Sequence, residues 1–473
     1  MAPASGPLTI SDLAIIPSLQ PVHVLPRASH FSMRTCMTRP ATKIALRSIG
    51  CRTNQEEMSS LGRSLAQNGH RVVEHERDAE IVVVNTCAVT SHTEAKTRHM
   101  LRSIRRRAPR ARILVTGCLA QQKPDHLRAF QGVAWVVGNA HKQAIASILN
   151  AHEDGTFHGP LSREVPLGIA EPEIAGCGAP MRTRFAVKIQ EGCDNACSYC
   201  IVPRLRGPSR SASSGDIRSA CERAAHAGYR EIILTGTHIG QYRDDASGHG
   251  LVDLLADILR DAPRDFRIRL SSLNPRDVSN ELLALMNTDS RICEHLHIST
   301  QALCPGILAA MHRDPGDVER LFARLARFRA RHPLMGLGAD FIVGFPGETE
   351  SMFGETLARA AEIGFSYGHV FRYSRRPGTI ATSYGSQVDE CTKRERSERL
   401  RDALAESRRG FARRLRGTRH TVLVESSGPP AGLASNYMRV EVPGANARPN
   451  AWCTAEITGF DAVRSRCVGT EVS

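Results

Sequence analysis

The chain has 473 residues, 41% of them hydrophobic, which is enough for two or three cores rather than one. Its 62 Lys and Arg against 48 Asp and Glu leave a formal charge of +14, and the pI of about 9.4 favours a polyanionic partner over an acidic protein or a neutral metabolite. The 14 cysteines, in a chain without a secretory leader, do not make a disulfide scaffold and read as metal ligands or small buried hydrophobes, while no apolar run reaches the roughly 18 to 20 residues of a membrane span.

Residues 1–40 hold Asp12, Pro17 and Pro21 inside their apolar part, which argues against a signal peptide and for a disordered tail. Met33 and Met37, just before the first strand-like run, are alternative starts. Over 41–155, short apolar runs at 44–46, 81–84, 113–115 and 134–137 alternate with helical stretches, the pattern of a parallel sheet in a first α/β domain. A Gly/Pro-rich segment without periodicity, 156–180, reads as a linker.

A second alternating series occupies 181–416. Strands are expected at 185–189, 231–235, 267–270, 296–299, 337–343 and 368–372, which makes six βα units of an open, partial barrel. Around 318–328, Leu321, Leu325 and Phe328 share one helical face and the arginines lie elsewhere, as an outer helix requires. After a very basic helical stretch at 393–416, β runs at 421–425, 438–442 and 455–458 fit a small terminal β-barrel over 417–473.

The sharpest local signal follows the first strand of the partial barrel, where Cys193, Cys197 and Cys200 make a C-x3-C-x2-C loop. Three thiolates on one tight loop can hold three irons of a [4Fe–4S] cluster and leave the fourth without a protein ligand. A structural zinc site wants four ligands, usually as two C-x2-C pairs, and fits this spacing poorly. In the first domain Cys51, Cys87 and Cys118 each follow a predicted strand. Loops at the carboxyl ends of parallel strands share one edge, so these thiols can converge on a second cluster; the alternative is three small residues ending buried strands.

The C-x3-C-x2-C loop, with Tyr199 before its third cysteine and the continuation Ile201-Val202-Pro203-Arg204-Leu205-Arg206-Gly207 and Ser209-Arg210-Ser211, resembles the radical S-adenosylmethionine (SAM) methylthiotransferases. Further similar strings are Ser271-Ser272-Leu273-Asn274-Pro275, Gly344-Phe345-Pro346-Gly347-Glu348-Thr349 and Tyr373-Ser374-Arg375-Arg376-Pro377-Gly378-Thr379, so the resemblance spans nearly the whole chain. Residues around Asn436-Tyr437-Met438-Arg439-Val440 resemble a TRAM RNA-binding barrel. Gly50-Cys51-Arg52-Thr53-Asn54 and Asn85-Thr86-Cys87-Ala88-Val89-Thr90 most resemble the branch acting on threonylcarbamoyladenosine, next to the anticodon of tRNA.

The resemblance implies two [4Fe–4S] clusters. Cys193, Cys197 and Cys200 would hold the one whose open iron chelates SAM and yields a 5′-deoxyadenosyl radical, with Tyr199, Gln301 and Gly344 on the SAM side. Cys51, Cys87 and Cys118 would hold an auxiliary cluster that carries sulfur. It further implies two SAM molecules per product, a tRNA substrate modified at adenine C2, an electron donor such as flavodoxin or ferredoxin, a sulfur donor, and a cytoplasmic monomer. One departure stands out: Gln301-Ala302-Leu303 replaces the usual Gln-Ser-Gly, and loss of the small Gly is expected to reshape the SAM-side wall. The competing readings are methylthiolation of a ribosomal protein, methylthiolation of isopentenyladenosine in tRNA, and a zinc-stabilised RNA-binding protein without catalysis. Arg98, Arg102, Arg105, Arg106 and Arg107 on one helix, and Arg408, Arg409, Arg413 and Arg414 on another, are candidate phosphate contacts or plain solvated faces. His238, His295 and His297 are read as packing residues at strand ends, and Cys36, Cys177, Cys221, Cys293, Cys391, Cys453 and Cys467 as structural.

Overall fold

The computed structural model describes residues 41–472 except 152, 153, 166, 170, 171 and 173–182. The expected tail at 1–40, the expected linker from 173 to 180, Cys36 and Cys177 lie outside the described residues. The first sheet is built from β1 (Lys43–Ser48), β2 (Arg71–Val73), β3 (Ile81–Thr86), β4 (Arg112–Gly117), β5 (Val133–Val137) and β6 (Gly155–Phe157), all parallel, in the order β2-β1-β3-β4-β5-β6. Strand β3 is buried over its whole length. Leu101 and Ile104 pack on Val82 and Val84 on one face, and Met58, Leu61 and Leu65 on Ile81 and Val83 on the other. Cover on both faces is why these strands read as continuous apolar runs. The two edge strands are additions to the four expected. At three residues each they carry no readable period, and β2 is largely exposed.

Next come β7 (Arg184–Glu191), β8 (Arg210–Ser211), β9 (Glu231–Gly236), β10 (Arg267–Leu270), β11 (Ser272–Leu273), β12 (His295–Gln301), β13 (Gly336–Val343) and β14 (Tyr367–Arg372). They form two sheets, β10-β9-β7-β8 and β11-β12-β13-β14, which meet at a parallel bridge between Ile268 and Ile292. All six expected strands of the partial barrel are present. The helix Pro315–Arg331 buries Val318, Leu321, Leu325 and Phe328, the face anticipated from their spacing.

The helix Glu390–Leu415 then leads into a closed barrel, β15 (Arg419–Ser427), β16 (Pro430–Ala434), β17 (Arg439–Glu441), β18 (Trp452–Asp461) and β19 (Arg466–Glu471), ordered β15-β16-β17-β19-β18. Phe411, Ala412 and Leu415 from the end of that helix close its core. At the amino ends of β9 and β10 the buried Glu231 holds Arg267 and Arg269 at 2.5 and 2.8 Å. These guanidinium groups donate to the carbonyls of Leu433, Ala434 and Ser435, tying the partial barrel to the terminal one.

Candidate active site between two cysteine groups

β1, β3 and β4 lie side by side, with Ser48 opposite Asn85 and Thr86 opposite Gly117, so Cys51, Cys87 and Cys118 leave three adjacent carboxyl ends. Two glycines make the approach possible. A Cβ on Gly50 (φ +119°) would lie 2.7 Å from the Cβ of Cys87, and one on Gly117 (φ +95°) would lie 2.4 Å from the carbonyl oxygen of Thr86. Asn54 closes the turn: its amide donates to the carbonyls of Ile49 and Thr86 at 2.8 and 3.1 Å. Its Oδ1 lies 3.7 Å from the Cys51 sulfur, and the Asn139 amide stands 3.9 Å from that of Cys118. Burial, aided by the neighbouring Cys118 and Cys51, pushes the Cys87 thiol up to about 11. Clustered, desolvated thiols are costly as bare thiolates and are stabilised by a cationic centre, which suits an iron–sulfur cluster.

Cys193, Cys197 and Cys200 sit on the loop after β7. Backbone bonds fold this loop on itself, with Cys193 N–H donating to Gly207 and Cys200 N–H to Cys197. Ser198 fastens it to Met311 and Ala310. Arg313 reaches the Cys197 sulfur at 3.9 Å while donating to Asn274 and to the Ser299 carbonyl. His238, bound to Asp277 at 2.6 Å, reaches the Cys193 sulfur at 3.7 Å. Burial drives Cys200 up to about 12, with Cys197 and Cys193 adding to the rise. Among the described residues no three His, Cys, Asp or Glu side chains are spaced to hold a single metal ion. Three thiols on one loop with C-x3-C-x2-C spacing suit three corners of a cluster better than the four ligands of a zinc site.

A solvent-open cleft reaches the thiol loop at Tyr199, Cys200 and Ile201. Gln301, Asp340 and Ile342 also line it, as do Val89 and Thr90, just after Cys87, and Phe371 and Arg372; Val89, Phe371 and Arg372 are its exposed members and mark its mouth. Of the expected SAM-side residues, Tyr199 and Gln301 line this cleft. Gly344 does not: it packs against Lys393 beyond the end of β13, and its N–H donates to Glu348 at 2.6 Å. In the Gln-Ala-Leu departure Ala302 and Leu303 are buried in the core, while Gln301 lines the cleft and takes the positive φ of 68°. His295 and His297 both bond the Tyr367 hydroxyl, at 2.9 and 2.7 Å, and His295 stacks on Tyr437 of the terminal barrel. His297 also meets Asp340 at 3.1 Å, behind the cleft.

A buried charge network, not anticipated from the sequence, joins the two cysteine-bearing regions. Arg206 donates to Glu57 and Glu191 at 2.8 and 2.7 Å, and to Asn54 at 2.7 Å. Lys142 and Lys188 complete the Glu57 carboxylate, and Lys188 and Arg210 complete Glu191. In sequence, Glu57 looks like an ordinary helix-surface charge; the only pointer was Arg206 inside the Ile201–Gly207 string. The two arginine-rich helices also differ. Arg409 and Arg413 pair with Glu406 and Arg408 donates to the Ser465 carbonyl, whereas Arg102 and Arg106 are exposed with no ion pair among the described residues.

The sequence profile of the uncharacterized protein family UPF0004 matches residues 43–138, and that of the radical SAM superfamily matches 187–360. The chain is 33% identical over 417 residues to the threonylcarbamoyladenosine tRNA methylthiotransferase MtaB of Thermotoga maritima, covering 85% of this chain and 91% of that one. It is 34% identical to the Bacillus subtilis protein of the same name, covering 76% and 79%. Relatives named for dimethylallyladenosine in tRNA and for ribosomal protein uS12 are 31% and 32% identical. In fold it is similar to the radical SAM methyltransferase TsrM of Kitasatospora setae, with a TM-score of 0.53 at 15% identity over 72% of this chain and 77% of that one. With three cysteines on one loop, three more at adjacent strand ends and relatives above 30% identity along most of its length, the chain belongs to the radical SAM methylthiotransferase family, whose members use two [4Fe–4S] clusters and SAM.

Proposed function

We propose that this protein attaches a methylthio group to C2 of N6-threonylcarbamoyladenosine next to the anticodon of tRNA. The observation that carries the reading is a cleft lined both by Cys200 and by Val89 and Thr90, the residues just after Cys87. In this reading Cys193, Cys197 and Cys200 hold the cluster that binds SAM, and Cys51, Cys87 and Cys118 hold the auxiliary one. When bound, the first supplies reductive cleavage of SAM and the second supplies sulfur. The chain's own residues do the rest. Tyr199 and Gln301 line the cleft with Cys200 and would flank SAM bound there, Arg313 and His238 hold the loop thiols, and the Arg206 network keeps the two cysteine regions in fixed relation.

Three functional parts are inferred: 41–155, 181–416 and an RNA-binding barrel at 417–473, with 156–180 as linker. The net charge of +14 suits a tRNA partner. No helix among the described residues is long and apolar enough to cross a membrane. We infer a cytoplasmic monomer served by a flavodoxin- or ferredoxin-type reductant. Mass analysis of tRNA nucleosides from a deletion strain tests the function: 2-methylthio-N6-threonylcarbamoyladenosine disappears and its unthiolated precursor accumulates. Loss of the methylthio group from ribosomal protein uS12 instead, with tRNA nucleosides unchanged, would replace this reading.

A further inference from the structure

The mouth of the cleft is chemically unlike its floor. Large apolar side chains left exposed are few among the described residues, yet two of them line this cleft: Val89 at 47%, on the loop after β3, and Phe371 at 45%, on β14. Exposed apolar side chains gathered at a cleft mark a surface that a ligand covers. Next to Phe371, at the end of β14, stands Arg372. Its side chain is 45% exposed and pairs with Glu390 at 3.5 Å, itself 69% exposed. A pair so open is weak and screened by solvent, so the guanidinium is readily taken over by a better anion. The other charged residue lining the cleft, Asp340, is held by His297 at 3.1 Å.

An aromatic and aliphatic rim suits a flat purine, and a loosely held guanidinium beside it suits an anionic arm on that purine's edge. Threonylcarbamoyladenosine carries its carboxylate at the end of the N6 substituent, whereas an isopentenyl arm is neutral and apolar. We propose that Arg372 is a specificity-determining residue that receives the carboxylate of the threonylcarbamoyl arm while Phe371 and Val89 flank the base. This rests on the functional reading above. It adds the part of the site that separates an anionic from a neutral modified adenosine.

The test uses the reconstituted full-length holoenzyme and two anticodon stem-loop RNAs, one bearing threonylcarbamoyladenosine and one its neutral methyl ester. Wild type should prefer the acid over the ester by about tenfold or more in kcat/KM, the scale of a charge-assisted hydrogen bond. Arg372→Gln should treat the two alike, and Arg372→Lys should recover part of the preference. Because the readout is a ratio between two substrates of one enzyme preparation, a general loss of activity does not mimic it, and binding of the two RNAs gives the same ratio if turnover is too low to measure. An Arg372→Gln enzyme that prefers the acid as strongly as wild type overturns the inference. A wild type inert on the acid RNA overturns the functional reading, and the inference with it.

Discussion

The two cysteine groups hold three thiols each, by opposite means. Cys193, Cys197 and Cys200 share one loop whose shape comes from its own backbone bonds and from Ser198 anchored to Met311 and Ala310. Cys51, Cys87 and Cys118 share nothing until β1, β3 and β4 have paired, and then need Gly50 and Gly117 to bring them close. In the first case the chain entropy of gathering the thiols is small because few residues separate them. In the second it is met by the sheet's core. A site assembled from strand ends therefore depends on distant packing, and a site on a loop depends mostly on itself.

The largest expected effect separates the two directly. Replacing Cys193, Cys197 and Cys200 with Ala should lower iron in the anaerobically reconstituted protein from about eight to about four atoms per chain and abolish both 5′-deoxyadenosine and methylthiolated nucleoside. Replacing Cys51, Cys87 and Cys118 should remove the same amount of iron but leave reductive formation of 5′-deoxyadenosine, with no methylthiolated product. Methylthiolation by the second variant, once shown to lack its auxiliary cluster, would break the division of labour.

A smaller effect is expected where the groups are joined. Arg206→Met leaves Glu57 and Glu191 short of a cation in a buried network, a loss of about 3–5 kcal/mol by urea denaturation. Asn54 loses its Arg206 partner at the same time. Iron retention on dilution should fall chiefly at the auxiliary site, read from spectra of the Cys193, Cys197, Cys200 triple-Ala background carrying the same change. Equal retention with and without Arg206 would show that the strand ends hold their thiols unaided.

The smallest effect lies at the far end of the partial barrel. Burial by itself would raise the Glu231 carboxyl, but Arg269 and Arg267 outweigh it and hold it at about 2, below the ordinary 4.5. A depressed folded-state value means the stabilisation is complete above about pH 4.5 and fades as pH falls toward 2. Wild type should therefore lose stability across that window relative to Glu231→Gln, measured by denaturant midpoints at each pH. A constant difference between the two proteins through the window would show that folding does not lower the Glu231 carboxyl.

Much of this was legible without coordinates. Continuous apolar runs announced β3, β4 and β5 because strands covered on both faces need no polar alternation, and the C-x3-C-x2-C loop is recognisable because its ligands are neighbours in the chain. Short elements were not legible: β2, β6, β8 and β11 are too brief to show a period, and β16 is a buried strand of small residues, PAGLA.

The amino-acid sequence by itself determined the alternation of strands and helices, the thiol loop and the positive charge, all properties of residues close together in the chain. Only the tertiary structure decided which distant side chains meet. It brought Cys51, Cys87 and Cys118 to one sheet edge, and it buried Glu57 against Arg206. It buried Leu303 in the core, packed Gly344 against Lys393, and gathered Val89, Phe371 and Arg372 at one cleft. Such meetings depend on strand order, register and which face is covered, and none of these is written in the spacing of the residues that meet.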